Sequence, residues 1–148
     1  MGFFTYDTSV IISRGMPELP GQSDSFLWSS VVLLELTAKA NDESERKVYE
    51  RLFLEYAKDN SLIVPDDKDW QLASKILYWL TQGRRKREGG KLSRLKPGES
   101  QRMALDALIA VGARRWRATL VTENWDDFKA IHYYCKDLKI IKSAEFLA

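Results

Sequence analysis

The sequence has very few of the residues on which soft-metal sites, disulfides and histidine-based catalysis depend. Its 148 residues contain one cysteine and one histidine, and a single cysteine cannot form an internal disulfide. Zn²⁺ sites are built mainly from cysteine and histidine ligands, so a zinc enzyme is disfavoured. His132 stands beside two tyrosines and is interpreted as a structural residue, which removes most of the support for a hydrolase with a histidine base.

Long apolar stretches are also missing. The longest run, Val31–Leu36, is interrupted by Glu35 and is far shorter than a membrane span. The first residues lack the basic segment of a secretory signal. We therefore expect a cytoplasmic protein with no membrane-spanning segment. Because 45% of the residues are hydrophobic and 30% are charged, we expect residues 1–148 to form a single globular domain.

Charge is nearly balanced overall, at +2, but it is unevenly distributed. The segment from Arg84 to Arg102 holds eight basic residues and two acids, a local charge of +6. We predict a basic loop at about 83–98, with Gly83 ending the helix before it, as either a solvated loop or an arm that contacts phosphates. The candidate RNA-binding residues in it are Arg84, Arg85, Lys86 and Arg87. A second basic cluster consists of Arg114, Arg115 and Arg117.

Short apolar segments alternate with amphipathic ones along the chain. The predicted strands are Phe3–Tyr6, Phe26–Trp28, Leu62–Val64, Thr119–Val121 and Leu138–Ile141. The predicted helices run from Val31 to about Ala40, from Asn41, from Asp66, from Pro97, and from Trp125 to Ile131, and a loop is predicted around Gly15–Gly21. This alternation is typical of a parallel sheet that is covered on both faces, with its working site at the carboxyl ends of the strands.

Three acids occupy positions that otherwise belong to an apolar core. Asp7 follows the first strand, Glu35 interrupts Val31–Leu36, and Asp106 lies inside an apolar helical segment. A buried carboxylate needs a cation, strong hydrogen bonds or a raised pKa. Capping does not explain Glu35 or Asp106, which lie well inside their helices. Ion pairs with nearby bases are the competing explanation, and these would be Glu35–Lys39 and Asp106–Arg102.

A fourth acidic feature follows the strand Thr119–Val121. There Thr122, Asn124, Asp126 and Asp127 enter a turn and a short helix. Mg²⁺ takes oxygen ligands, usually one or two carboxylates together with water. A group of carboxylates with no histidine or cysteine among them therefore favours Mg²⁺, or Mn²⁺, over Zn²⁺.

At these positions the sequence resembles the PIN-domain family, and within it the VapC-like toxins of type II toxin–antitoxin systems. The matching segments are Tyr6–Ile11, Ser29–Leu36, Leu105–Ala110, and Leu120–Asn124 with Asp127-Phe128. They occur in the family's order and extend over nearly the whole chain. The resemblance implies a three-layer α/β/α sandwich with a central parallel sheet, and a Mg²⁺-dependent endoribonuclease that hydrolyses RNA phosphodiester bonds.

The resemblance also implies roles for individual residues and partners. The catalytic and metal-binding residues would be Asp7, Glu35, Asp106 and Asp127, with Asn124 as the alternative fourth position. The supporting residues would be Thr8, Ser9, Thr122 and Asn124. The expected partners are an RNA substrate, a cognate antitoxin and a second copy of the chain in a homodimer. The Pro/Gly-rich segment Ser13–Ser25 departs from the family, whose members usually have a helix there.

Two other functions compete with this one. A phosphotransferase of the haloacid-dehalogenase type needs a second Asp two residues after the first, and Ser9 occupies that place. The remaining alternative is a non-catalytic RNA-binding or scaffolding domain that keeps the PIN fold.

Overall fold

The structure is a computed structural model that describes residues 2–16, 25–87 and 98–147, with the backbone alone for residues 84–87. The strands in these ranges are β1 (Phe4–Tyr6), β2 (Trp28–Ser29), β3 (Leu62–Ile63), β4 (Thr119–Thr122) and β5 (Lys139–Lys142). The helices are α1 (Thr8–Arg14), α2 (Ser30–Ala38), α3 (Glu43–Lys58), α4 (Asp67–Arg87), α5 (Glu99–Arg115), α6 (Trp125–Tyr133) and α7 (Ser143–Phe146).

The strands all run in the same direction. β1, β4 and β5 form one parallel sheet in the order β1-β4-β5, and β2 pairs with β3 in parallel. A bridge between Phe4 and Phe26 joins the two sheets, and the amide of Leu27 donates to the carbonyl of Phe4 at 2.9 Å. Every residue of β1 is buried. Both faces of the sheet are therefore covered at β1, and the predicted α/β class with a parallel sheet is confirmed.

Helix α5 runs through the interior. Its residues from Asp106 to Ala113 are all buried, as expected for a helix that is apolar on every side. At Gly112 the backbone passes so close to β3 that a Cβ atom would lie 2.8 Å from Cγ2 of Ile63. This close approach requires a residue without a side chain at position 112. No helix in the described ranges is both long enough and apolar enough to cross a membrane.

Helix α1 was not predicted. The β-branched run Val10–Ile12 favours a strand by propensity, but Asp7 caps a helix here by accepting a hydrogen bond from the amide of Val10 at 3.3 Å. Gly15, at φ 84°, ends the helix. The predicted loop at Gly15–Gly21 falls mostly outside the described residues.

Helix α4 is longer than predicted. It continues through Gly83 to Arg87, so the predicted helix end at Gly83 is wrong. A helical glycine costs only about 1 kcal/mol relative to alanine, and the four residues after Gly83 are good helix formers. The first part of the predicted basic loop at 83–98 is thus helical, and residues 88–97 lie outside the described part of the chain.

Helical spacing predicts a core-facing stripe on α3 and another on α4, and each is confirmed only in part. On α3 the predicted stripe is Val48, Leu52, Phe53 and Tyr56; Leu52 and Tyr56 pack on the core, but Val48 and Phe53 are 46% and 41% exposed. On α4 the predicted stripe is Trp70, Ala73, Ile76, Leu77 and Leu80; Ala73 and Ile76 are buried, but Trp70 is 57% exposed. Helical spacing predicts a stripe, but its rotation about the helix axis is decided by the neighbouring elements.

Candidate active site

The site forms where β1 and β4 end side by side. Register pairs Tyr6 with Val121, so the next residue of each strand, Asp7 and Thr122, comes to the same sheet edge. The amide of Asp7 donates to the carbonyl of Val121 at 3.1 Å, which extends the ladder by one residue. The carboxyl edge of the sheet is the expected place for a working site in such folds.

The side chain of Asp7 is only 2% exposed, and its hydrogen bonds compensate for this burial. Ser9 Oγ donates to Oδ1 at 2.7 Å, and the amide of Val10 donates to the same oxygen at 3.3 Å. Thr122 Oγ1 donates to Oδ2 at 2.9 Å. Burial raises the pKa of Asp7 above its ordinary value and the charge of Glu35 adds to this, while the three hydrogen bonds act in the opposite direction.

The two hydroxyl groups on Asp7 also hold the turn between β4 and α6. Thr122 Oγ1 accepts from the amide of Asn124 at 2.8 Å, and Ser9 Oγ accepts from the amide of Glu123 at 3.2 Å. Each hydroxyl therefore donates to the carboxylate and accepts from the turn. Displacing the turn would disturb the orientation of Asp7.

Glu35 is half-buried on α2 and is oriented by Thr8. Thr8 Oγ1 donates to Glu35 Oε1 at 2.8 Å, so Thr8 joins the first strand's carboxyl end to α2. Within the described residues Lys39 forms no ion pair with Glu35; only its backbone amide donates to the Glu35 carbonyl, at 3.2 Å. The competing explanation for this acid, a pair with Lys39, is therefore wrong.

Among the acids of the site, Asp106 has the fewest interactions that offset the cost of burying its carboxylate. It is 8% exposed, and no group in the described part of the chain donates a hydrogen bond to it or pairs with it. Burial, followed by the charges of Glu35, Asp7 and Asp127, raises the pKa of Asp106 to about 7. The charge of Arg102 lowers the pKa of Asp106 and is the smallest of these influences, and the competing ion pair between Asp106 and Arg102 is absent from the described residues.

The fourth predicted position lies on α6. Asp127 is exposed, yet it lines a cavity of about 170 Å³ together with Asp106. Asn124 occupies the N-cap position of α6, but its side chain forms no capping hydrogen bond. Asp126 lines a different groove. The choice between Asp127 and Asn124 stays a prediction, and the shared cavity with Asp106 favours Asp127.

Lone pairs without donors point to where a cation could enter. Asp7 Oδ2 has one donor, Glu35 Oε2 has none, and neither oxygen of Asp106 has one, counting only described residues. Carboxylate oxygens are the ligand type that suits Mg²⁺. No group of three or more His, Cys, Asp or Glu side chains within residues 2–16, 25–87 and 98–147 is arranged to hold a metal ion. The donor chemistry therefore suits a cation held by few direct carboxylate ligands.

Comparison with known proteins identifies the fold. The sequence matches no protein-family model and no curated protein. Among solved structures it matches one chain of the crystal structure of DNA-bound VapBC from Salmonella typhimurium, with a TM-score of 0.56, over 96% of this chain and 98% of that chain. The protein shares the fold of that chain. This confirms the predicted resemblance at the level of fold, and at 18% identity the chemistry has to be argued from the residues of the site.

The two clusters of basic residues differ in their structural context. Arg84, Arg85, Lys86 and Arg87 extend α4, and their side chains lie outside the described part of the structure. The second cluster is tied down: Arg114 Nε lies 2.9 Å from Asp137, and Arg115 Nε lies 2.8 Å from the buried carboxylate of Asp69. Arg114 and Arg115 therefore secure the end of α5.

Two features of the site edge were not predicted. Glu123, beside Thr122, accepts hydrogen bonds from Arg14 Nε at 2.7 Å and Ser13 Oγ at 3.2 Å, so the end of α1 is linked to the end of β4. Sequence offers no signal for pairs that lie 109 and 110 residues apart. Trp125, at the start of α6, is half-buried, and the Lys142 ammonium lies 5.3 Å from its ring centroid.

Replacing Thr122 with Val tests whether Asp7 depends on its hydroxyl partner. The substitution keeps the shape but removes a donor to Asp7 and an acceptor for Asn124, so we expect the pKa of Asp7 to rise further. Removing such an outer partner typically weakens metal binding about 10- to 100-fold. Titrating the proposed Mg²⁺-dependent activity should show a higher half-saturating Mg²⁺ concentration with a similar maximal rate. Thr122→Ser should restore the wild-type titration, and an unchanged titration in Thr122→Val would contradict the role.

Proposed function

We propose that this chain is a Mg²⁺-dependent endoribonuclease and the toxin of a toxin–antitoxin pair. The observation that carries the proposal is Asp106. A buried carboxylate without a hydrogen-bond donor, surrounded by three further acids, is costly in a protein that has no cation to bind there. A divalent cation would compensate these charges.

The residues fit such a cation through their donor chemistry and their unfilled lone pairs. Asp7 and Asp106 would hold the ion directly, while Glu35 and Asp127 would contact it directly or through its water ligands. Mg²⁺ usually takes only one or two carboxylates and keeps several waters. This coordination agrees with a site whose acids influence each other's pKa but in which no three described carboxylates are arranged around one ion. When bound, Mg²⁺ supplies charge neutralisation at phosphate and lowers the pKa of a coordinated water.

The chain's own residues contribute orientation. Ser9 and Thr122 fix both oxygens of Asp7, and Thr8 fixes one oxygen of Glu35. Preorganised carboxylates have little freedom to lose when substrate and cation arrive. The basic continuation of α4 would add attraction for the RNA backbone.

The proposed partners are an antitoxin protein and a second copy of the chain. Support for the antitoxin comes from the VapBC likeness and from the helix that contains Glu35. On α2 and the neighbouring α3, the side chains of Leu34, Phe53 and Leu54 are 59%, 41% and 61% exposed. Exposed apolar groups next to a functional site are typical of protein-binding surfaces. A neighbouring reading frame that encodes a short DNA-binding protein would supply the antitoxin to test.

The experiment that tests the proposal is RNA cleavage by the purified chain. End-labelled RNA should be cut into discrete fragments with MgCl₂, cutting should stop when EDTA is added, and it should return when excess Mg²⁺ is restored. Mn²⁺ should substitute for Mg²⁺, since both prefer oxygen ligands. Cleavage that continues in EDTA would point to contaminating ribonuclease, and an absence of products across RNA classes would contradict the proposal.

A second candidate function is a non-catalytic RNA-binding domain. The observation that favours it is that the described carboxylates form no group of three that could hold a metal ion. Its signature would be RNA binding that EDTA does not alter, without products in MgCl₂. The same cleavage assay, run beside a binding assay, separates the two functions.

A further inference from the structure

A groove of about 600 Å³ lies between the end of α4 and the last turns of α6. We call it the α4–α6 groove. Its lining includes Lys129, His132, Tyr133 and Lys136, and it also includes Leu80 and Ala130. Leu80 and Ala130 line the acidic cavity of Asp106 and Asp127 as well. The groove and the candidate active site are thus adjacent.

The side chain of Tyr133 is 64% exposed at this surface, although other aromatic rings pack against it. Tyr134 packs edge-on against it at 4.9 Å between ring centroids, with an interplanar angle of 84°. Tyr134 is itself stacked on Trp79 of α4 at 5.4 Å and 30°, and its hydroxyl donates to the Trp79 carbonyl at 3.4 Å. The aromatic row spans the two helices and holds Tyr133 in place.

The charges around Tyr133 favour an anion. Lys129 and Lys136 line the groove with Asp126 as the one acid in its described lining, and the Lys136 ammonium lies 5.2 Å from the Tyr133 ring centroid. Gly83 of α4 also lines the groove, and the helix continues from it directly into four basic residues. An exposed aromatic ring next to cations is the arrangement that binds a base and its phosphate in single-stranded nucleic acids.

We propose that the α4–α6 groove is a subsite for single-stranded RNA, in which Tyr133 stacks on an unpaired base while Lys129 and Lys136 contact the adjacent phosphates. The inference rests on the proposed function, which supplies RNA as the ligand class, and deepens that function by giving the RNA strand a path away from the acidic site. The volume of the groove lies within the range of small-ligand pockets. Double-stranded RNA should compete poorly, because its bases are not free to stack.

The test measures binding separately from cleavage. A short single-stranded RNA that contains 2-aminopurine is titrated with the full chain in EDTA, so that the RNA stays intact. We expect anisotropy to report binding and stacking to quench 2-aminopurine fluorescence. Tyr133→Ala should raise the dissociation constant about tenfold and remove the quenching, whereas Tyr133→Trp should keep both. Tyr78→Ala is the matched control, because Tyr78 on α4 is 61% exposed but does not line the groove.

The lysines give a second, independent readout. Replacing Lys129 and Lys136 with Ala should lower the slope of log dissociation constant against log salt by about 1.4, since each phosphate contact on a single strand contributes about 0.7. Circular dichroism melting of each variant checks that the fold is kept.

Each outcome decides a separate claim. If wild type fails to bind the RNA, or if folded Tyr133→Ala binds and quenches like wild type, the subsite is overturned. If binding depends on Tyr133 but no RNA is cleaved in MgCl₂, the subsite stands and the nuclease proposal fails. If RNA is cleaved but binding ignores Tyr133, only the subsite falls.

Discussion

Replacing Asp106 with Asn is expected to lower Mg²⁺-dependent RNA cleavage by at least about 100-fold, because metal assistance contributes several kcal/mol to such reactions. The amide keeps the size of the side chain but cannot carry the charge that attracts the cation. Asp106 has no hydrogen-bond donor in the described chain, so the change breaks no hydrogen bond there. Initial rates measured over a range of MgCl₂ concentrations at pH 8 give the effect.

Asp59→Asn is the matched control for this experiment. Asp59 is an exposed carboxylate at the end of α3, and its neutralisation should leave the rate unchanged. Cleavage by Asp106→Asn at the wild-type rate would show that the buried acid is not part of the metal site, and the proposed mechanism would then have to be abandoned.

In the metal-free protein, the contribution of Asp106 and Asp7 to stability should fall as pH rises from about 4 to about 7, because the carboxyl groups of these residues have raised pKa values. In the unfolded chain Asp106 ionises near 3.8, whereas in the folded protein its pKa is about 7. Between these values the folded state binds more protons than the unfolded state, so the free energy of unfolding falls with rising pH. Above pH 7 the Asp106 contribution is constant, with an upper limit on the order of 4 kcal/mol.

Urea unfolding of wild type and Asp106→Asn in EDTA, at several pH values between 4 and 8, isolates this contribution. The difference between the two proteins should grow in favour of the variant as pH rises and then level off. Adding MgCl₂ at pH 8 should stabilise wild type more than the variant, because a ligand that binds only the folded state raises the free energy of unfolding. Parallel pH profiles for the two proteins would contradict the raised pKa of Asp106.

The candidate site shows which acids a sequence can single out. Asp7, Glu35 and Asp106 interrupt apolar segments, and an interruption of this kind is visible without a structure because burying a carboxylate is costly. The charges of Glu35 and Asp7 help to raise the pKa of Asp106, as like charges that lie close together do. Their catalytic roles stay predictions until the variants are assayed.

The local sequence pattern was a poorer guide to secondary structure where intrinsic propensity and other interactions of similar strength favoured different conformations. Val10–Ile12 has strand propensity, but capping by Asp7 makes it helical. Gly83 resembles a helix end, but the penalty for a helical glycine is small and α4 continues. Tyr133 follows a lone histidine and precedes another tyrosine, and nothing in that order indicates that a row of aromatic rings would hold it beside the acidic cavity.

The sequence by itself determined the alternation of strands and helices, and with it the parallel sheet and the placement of Asp7 at a strand end, since these depend on residues close together in the chain. The tertiary structure alone decided which side chains donate hydrogen bonds to the acids of the site. Thr122 reaches Asp7 across 115 residues and Thr8 reaches Glu35 across 27, and no local pattern encodes such pairings. It also decided that Lys39 and Arg102 leave the acids unpaired within the described chain, because the direction of a side chain depends on how its helix packs. These unpaired acids are the groups that the proposed cation would neutralise.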